Sequence, residues 1–203
     1  MNQPNVSVPM GRPREFDIDT ALQRALEVFW RQGYEGASLG DLTAAMGINR
    51  PSLYAAFGNK ESLFRKALQR YTDEHMAFIG AALNEPTARG AVEALLRGYA
   101  ASVSDPSTPA GCLTVQGALA GGRDTEPIRA ELTSRRLAGE AALRARLERA
   151  RDDGDLPGDA DPTELARYVN TVAQGIAVQA AGGATRSQLN RVVDIALRAW
   201  PTP

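Results

Sequence analysis

The chain has 203 residues, a mass of 21.7 kDa and a formal net charge of -1 at pH 7. With 43% hydrophobic and 6% aromatic residues, its composition predicts a folded protein with a sizeable core in one or two domains. It contains neither an uncharged apolar run of membrane-spanning length nor a basic-then-apolar leader, so we expect a cytoplasmic protein without a membrane partner.

The residue inventory argues against a catalytic or metal site. One histidine, His75, and one cysteine, Cys112, cannot form a His/Cys metal site or an internal disulfide. Zinc-protease, P-loop and dinucleotide-binding motifs are missing, and the acidic residues lie at spacings that caps and salt bridges explain. We therefore expect no enzyme and no cofactor.

The N-terminal region predicts a tail, a basic arm and one helix. Residues 1–10 lack periodicity and contain two prolines, which favours a disordered tail. Arg12 and Arg14 follow as a basic arm suited to a phosphate row or minor groove, although a solvated flank is the alternative. The first helix is expected from about residue 17 to residue 32, with Gly33 as its stop.

Residues 38–57 predict two short helices joined by a tight turn. Ser38 and Asp41 have capping-box spacing, and Gly47 stands where a left-handed residue ends a helix. Only Ile48 separates Gly47 from Asn49, which is a cap candidate for the second helix. So short a connection forces the second helix away at a steep angle, as in a helix-turn-helix.

The second helix of this pair has an outward face with the chemistry of nucleic-acid contact. Leu53 and Phe57 face inward, which leaves Arg50, Ser52 and Tyr54 outward. An arginine can reach guanine edges or phosphate, and hydroxyl groups suit either bases or phosphate oxygens. We interpret this face as the part that meets DNA, against the alternative of a purely structural helix pair.

Basic charge is concentrated in the same region. Residues 48–70 contain five basic residues and one acidic residue, a local charge of +4, whereas residues 151–164 hold six acidic residues and one Arg. Lys60 lies at the start of the next helix, where its charge opposes the helix dipole unless a phosphate lies in front. That helix is predicted to run without a break from Asn59 to Leu83, as a lever joining two halves of the protein.

Residues 42–63, LTAAMGINRPSLYAAFGNKESL, closely resemble the DNA-binding signature of the tetracycline-repressor (TetR) family of bacterial transcription regulators, and the resemblance covers about residues 11–72. It implies an all-α protein of about nine helices. An N-terminal three-helix DNA-binding domain would occupy residues 11–74, and a C-terminal ligand-binding and dimerisation domain residues 75–203.

The resemblance also implies a function. The protein would be a sequence-specific regulator, by family default a repressor, that binds a palindromic double-stranded operator as a dimer and is released by an unknown small-molecule inducer. A helix-turn-helix adaptor that contacts protein is the alternative. The matching positions, with the basic arm and the second helix's cap, give these DNA-binding candidates: Arg12, Arg14, Ser38, Asn49, Arg50, Pro51, Ser52, Tyr54 and Lys60.

The implied inducer pocket has candidate lining residues on the helical segments of the C-terminal half. They are equally suited to an ordinary core: Tyr99, Val103, Cys112, Leu113, Val115, Gln116, Leu119 and Ile176.

Cys112 carries a further hypothesis. It begins a short predicted helix, where amide dipoles favour the thiolate, and Gly111-Cys112-Leu113 is similar to a segment of electrophile-sensing members of the family. The favoured alternative is a small buried hydrophobic residue.

Two helices with strong start signals close the chain, at about residues 162–181 and 186–200. They are expected to form a hairpin that pairs with a second copy in a homodimer. An intramolecular core is the alternative use of their apolar stripes, which comprise Leu165, Ala166, Val169, Val172, Ala173, Ile176, Ala177 and Ala180 in the first helix and Leu189, Val192, Val193, Ala196 and Trp200 in the second.

Overall fold

A computed structural model describes residues 16–119 and 125–202, with side chains at 117–119 excluded, and this part of the chain is entirely helical in its regular structure. The all-α prediction is confirmed. The predicted tail and the arm with Arg12 and Arg14 lie outside the described residues. The helices are α1 Ile18–Gly36, α2 Leu39–Met46, α3 Arg50–Phe57, α4 Lys60–His75, α5 Phe78–Leu83, α6 Ala88–Val103, α7 Leu113–Leu119, α8 Glu126–Asp152, α9 Pro162–Ala181 and α10 Arg186–Arg198.

The first four helices pack around a shared apolar centre. Two-turn helices such as α2 and α3 are not stable alone in water, so their buried side chains must pack against longer helices. Phe29 of α1 meets Phe64 of α4 edge to face, with ring centroids 5.0 Å apart, and Leu42 of α2 and Leu53 of α3 are fully buried in the same cluster. Helix α1 therefore braces the helix pair that follows it.

The predicted long helix from Asn59 to Leu83 is wrong, because the chain breaks it at Met76. There φ is -114° and ψ is 7°, and a separate short helix, α5, follows. The hydroxyl of Ser102 in α6 donates to the backbone carbonyl of His75 at 3.0 Å. In a continuous helix the His75 carbonyl would accept from a backbone N–H of the next turn. Here the Ser102 side chain takes that place, so the carbonyl has a partner although the helix ends. Because of this break, the described residues form ten helices, where about nine were expected for the protein.

The C-terminal half is a bundle in which α6, α8 and α9 pack against one another and α10 covers α6 and α9. Phe78 of α5 lies so close to Gly98 of α6 that a Cβ atom at position 98 would stand 2.3 Å from the Phe78 ring. The missing side chain is what permits this contact. The buried cluster continues from Ala21 to Trp200 across residue 74, and the two-domain division remains a prediction.

The apolar stripes of the last two helices are mostly used inside the chain. The positions buried within the protomer are Ala166, Val169, Ala173, Ile176, Ala177 and Ala180 in α9, and Leu189, Val193, Ala196 and Trp200 in the second stripe. Other apolar side chains remain exposed: Tyr168 and Val178 on α9, and Val192 and Ile195 on α10. For the buried positions the intramolecular alternative was correct.

No helix in the described ranges has both the length and the apolarity to cross a bilayer.

Candidate functional site

The turn between α2 and α3 is built from local caps. The Ser38 hydroxyl accepts from the Asp41 backbone N–H at 3.0 Å, and the Asp41 carboxylate accepts from the Ser38 backbone N–H at 3.1 Å. Gly47 adopts φ 69° and ends α2, and Asn49 accepts from the Ser52 backbone N–H at 2.8 Å. These contacts define where both helices begin, so they set the direction of α3.

Helix α3 presents two different faces. Leu53 and Phe57 are buried, whereas Arg50 is exposed and Tyr54 is 49% exposed. Arg50 forms no hydrogen bond or ion pair with the rest of the described chain. Its guanidinium is therefore available to a partner in solution. Pro51 is also exposed and Ser52 is half-buried, so the predicted contact residues of α3 share one accessible side.

Three predicted contact residues have structural partners already. The Ser38 hydroxyl donates to the Asp41 carboxylate at 2.6 Å, and the Asn49 side-chain oxygen is the cap of α3. Lys60 lies over the ring of Tyr34, with Nζ 4.6 Å from the ring centroid. Partial burial lowers the pKa of Lys60 from its ordinary value, an effect that the charge of Glu35 opposes.

The basic charge of residues 48–70 is less available than the sequence suggested. Arg65 pairs with Glu61 at 2.8 Å and with Glu131 of α8 at 3.4 Å. Arg70 pairs with Asp19 at 2.8 Å and lies 3.5 Å from Glu74. These two arginines therefore connect helices within the protein rather than presenting unpaired charge.

Sequence reasoning missed residues of α2 that border the same surface. Thr43 and Ala44 line an open groove together with Asn49 and Ser52. The apolar spacing of α2 predicts that Leu42 is buried, as it is in the structure. Thr43 follows Leu42 directly and therefore points away from the buried face, and this spacing was the sequence signal for its accessibility.

A second candidate site is a cavity of about 230 Å³ in the C-terminal half, here called the bundle cavity. Helices α4 to α9 contribute to its wall, which has apolar and polar parts. The lining residues are Thr72, Met76, Ile79, Tyr99, Thr114, Val115, Arg135, Arg136, Ala138, Gly139, Asn170, Ala173 and Gln174.

Some of the residues predicted to bind a ligand line the bundle cavity. Tyr99 and Val115 line it, whereas Val103, Leu113 and Ile176 are buried in the core outside its wall. Gln116 is not a wall residue either; its side-chain nitrogen donates to the Ala110 carbonyl at 3.4 Å. The Leu119 side chain lies outside the described residues. The wall residues on α8 and α9 were not predicted. They meet at the cavity because α8 packs on α9, and the periodicity of the sequence does not specify that packing.

Cys112 is 1% exposed and is hydrogen-bonded on both sides. The Tyr71 hydroxyl donates to its sulfur at 3.2 Å, and the sulfur lies 3.0 Å from the Thr114 hydroxyl. The pKa of Tyr71 is raised well above its usual range, mainly because the side chain is buried and secondly because Cys112 is close. Its phenol therefore remains a neutral donor. This environment is typical of a structural cysteine, and the sensing role stays a prediction.

Comparison with known proteins identifies the relatives of this chain. Residues 21–67 match the family "Bacterial regulatory proteins, tetR family", and residues 86–196 match "Tetracyclin repressor-like, C-terminal domain". The chain is 37% identical to the HTH-type transcriptional repressor ComR of Escherichia coli (strain K12), covering 94% of this chain and 92% of ComR. It is 35% identical to the uncharacterized HTH-type transcriptional regulator YezE of Bacillus subtilis (strain 168), covering 93% and 98%.

A solved structure of similar architecture has DNA bound. It contains a cysteine mutant of the TetR family transcriptional regulator CifR complexed with 26bp double-strand operator DNA. That chain is 48% identical to the present one, with a TM-score of 0.90 and coverage of 94% of this chain and 100% of CifR. The helix pair at residues 38–57 and the two family matches lead to one assignment: the chain belongs to the tetR family of bacterial regulatory proteins.

Proposed function

We propose that this protein is a transcriptional repressor that binds a specific double-stranded operator through α3. The observation that carries the proposal is the division of α3 into a buried face with Leu53 and Phe57 and an accessible face with Arg50 and Tyr54. A helix of this width fits the major groove, where an arginine distinguishes guanine through two acceptors. The alternative adaptor role gives Arg50 no comparable purpose.

Within this proposal each predicted contact residue has a part. Arg50 reads base edges at the first turn of α3, with Pro51 and Ser52 beside it, and Tyr54 donates to a phosphate. Ser38, Asn49 and Lys60 lie at helix starts, where amide groups and positive charge favour phosphate oxygens. The arm with Arg12 and Arg14 adds contacts along the minor groove.

A homodimer formed through α9 and α10 would place two α3 helices on one DNA duplex, which raises the affinity for DNA and makes the binding two-fold symmetric. Tyr168 and Val178 on α9 and Val192 and Ile195 on α10 are apolar side chains left on the surface of the protomer. A second copy would bury them in a two-fold interface. Two α3 helices would then enter successive major grooves about 34 Å apart, so the operator should be palindromic.

The regulators named above include ComR, a repressor, and we extend repression to this chain. Release by a small molecule would use the bundle cavity, since it is lined from α4 to α9 and α4 begins beside the helix-turn-helix. A regulator of bacterial chromosomal DNA works where that DNA is, which places the protein in the cytoplasm. The role requires no catalysis and no cofactor.

The test is selection of bound sequences from a random duplex pool, followed by titration of the selected duplex at several salt concentrations. We expect a palindrome, and an affinity that falls steeply with salt because phosphate contacts release counterions. Arg50→Ala should weaken specific binding by about 1–3 kcal/mol and relax the preference at one base position of each half-site. Arg149→Ala, an exposed arginine on α8, is the matched control and should bind as the unmodified protein does.

Failure to select any sequence, or equal affinity of the Arg50→Ala variant and the unmodified protein, would contradict the proposal. If Arg50→Ala instead abolished binding to a protein partner while DNA affinity stayed the same, the adaptor alternative would replace it.

A further inference from the structure

The polar part of the bundle cavity wall is dominated by hydrogen-bond donors. Arg135 and Arg136 on α8 and Asn170 and Gln174 on α9 face a space otherwise bounded mainly by apolar residues. Among the described residues, none that lines the cavity is acidic. The nearest acidic residues along α8 are paired with arginines: Glu131 lies 3.2 Å from Arg135, itself a wall residue, and Glu140 lies 3.7 Å from Arg167.

Two of these donors have unused capacity. The Asn170 Nδ2 atom is buried and has no hydrogen-bond partner in the described chain. Arg136 donates to the Thr133 hydroxyl at 3.1 Å, but its guanidinium pairs with no carboxylate among residues 16–119 and 125–202. A buried donor without an acceptor costs free energy, and an arginine on the same cavity wall offers a planar fork that matches a carboxylate.

The other part of the wall is apolar. Met76, Ile79, Val115 and Ala173 form it, and Tyr99 adds an aromatic ring. The cavity volume is about 230 Å³. Its size and lining suit a small occupant with an apolar body and one acceptor group.

We propose that the bundle cavity binds a small organic carboxylate, with Arg136 and Asn170 holding the carboxylate and the apolar wall enclosing the rest. The binding claim stands on the cavity itself; the role of this carboxylate as inducer rests on the proposed function. No covalent step is involved.

The same cavity is connected to the DNA-binding half by Arg135. This residue donates to the Thr72 hydroxyl at 3.2 Å and to the Gln69 side-chain oxygen at 3.4 Å, both on α4. Arg135 also pairs with Glu131 of its own helix at 3.2 Å, and an anion bound next to it competes for the guanidinium with this carboxylate and with the two neutral acceptors on α4, which weakens the attachment of α8 to α4. Since α4 starts at Lys60, directly after α3, occupation of the cavity is coupled to the position of the DNA-reading helix.

The experiment is calorimetric titration of the full chain, without DNA, using two pairs of probes of nearly equal shape. Benzoate is compared with benzamide, and hexanoate with hexanamide. We expect at least one carboxylate to bind and its matched amide to bind about tenfold or more weakly, because only the carboxylate forms charge-assisted hydrogen bonds with Arg136.

Substitutions then locate the site. Arg136→Gln should weaken carboxylate binding about ten- to hundredfold, and Asn170→Asp, which places a like charge beside the ligand, should abolish it. Arg149→Gln on the outer surface of α8 is the control and should leave the affinity unchanged. Thermal melting of each variant verifies that it is folded.

If neither carboxylate binds, if the amides bind equally well, or if folded Arg136→Gln binds like the unmodified chain, the proposed ligand class is wrong. Operator binding is measured separately, so it can stand when the ligand class fails. Carboxylate binding in a chain that selects no DNA sequence would support the ligand class and remove the inducer role.

Discussion

The indole Nε1 of Trp30 donates a hydrogen bond to the backbone carbonyl of Gly111 at 3.1 Å, across 81 positions of sequence. The indole is 2% exposed, and its ring meets that of Tyr71 edge to face at a centroid distance of 4.7 Å. Because Trp30 belongs to the brace of the helix-turn-helix and Gly111 precedes α7, this contact joins the DNA-binding half to the segment that carries Cys112.

Trp30→Phe should destabilise the protein although it keeps an aromatic ring. The substitution removes the donor and leaves the Gly111 carbonyl without its indole partner in a buried place, at a cost of about 1–3 kcal/mol. Urea denaturation followed by circular dichroism measures the free energy of unfolding. An unchanged free energy of unfolding would mean that this hydrogen bond is not maintained in solution.

Gly47→Ala should destabilise the helix-turn-helix, because Gly47 has φ 69° and a Cβ atom there costs about 1 kcal/mol or more. Gly80→Ala is the matched control. Gly80 lies within α5 with nothing within 4 Å of an added Cβ, so alanine should stabilise by up to about 1 kcal/mol. Thermal unfolding of both variants measures whether each substitution lowers or raises the stability. Equal shifts of the melting temperature in the same direction would contradict the left-handed geometry of the turn.

The capping box of α2 should make part of the stability dependent on pH. Hydrogen bonds from the Ser38 hydroxyl and backbone N–H hold the pKa of Asp41 below its ordinary value of 3.8. A carboxyl whose pKa is lower in the folded state contributes its full stabilisation above the unfolded pKa. That contribution is lost as pH falls through the folded pKa.

The free energy of unfolding of the unmodified chain should therefore exceed that of Asp41→Asn by a constant amount at neutral pH, and the difference should shrink below about pH 4. Urea denaturation across this range provides the measurement. Asp159→Asn, at an exposed carboxylate without a hydrogen bond or ion pair to the described residues, controls for loss of charge. A difference that grows on acidification would reverse the expected sign.

Ile195→Asp should weaken the proposed homodimer, because a charge would replace an apolar side chain that is 59% exposed on the protomer. Light scattering at micromolar concentration should detect monomer, and operator affinity should fall with it because two α3 helices are no longer linked. Leu137→Asp, on α8 and 60% exposed, is the control of equal exposure and should remain dimeric. A dimeric Ile195→Asp variant with unchanged operator affinity would place the interface elsewhere.

Local signals were sufficient for the helix-turn-helix. Ser38, Gly47 and Asn49 act within a few residues of themselves, and the structure places each at the helix end that its chemistry predicts. The same holds for α9 and α10, which begin at Asp161 and Thr185 as their capping residues indicate. Caps can be read from sequence because their hydrogen bonds join residues two or three positions apart.

Contacts between distant segments had no such signal. The break at Met76 depends on Ser102 in another helix, and no glycine or proline marks it. Likewise, an apolar stripe on α9 is equally compatible with an internal core and with a partner, and packing on α6 and α8 assigned most of it to the interior.

The sequence by itself determined the helical class, the caps, the turn and the outward chemistry of Arg50, because these follow from residues near one another in the chain. Tertiary structure alone decided which arginines remain unpaired, which apolar faces are covered, and that Arg136 and Asn170 meet at one cavity. Those outcomes depend on how helices far apart in sequence approach each other, and the periodicity within a helix does not carry that information.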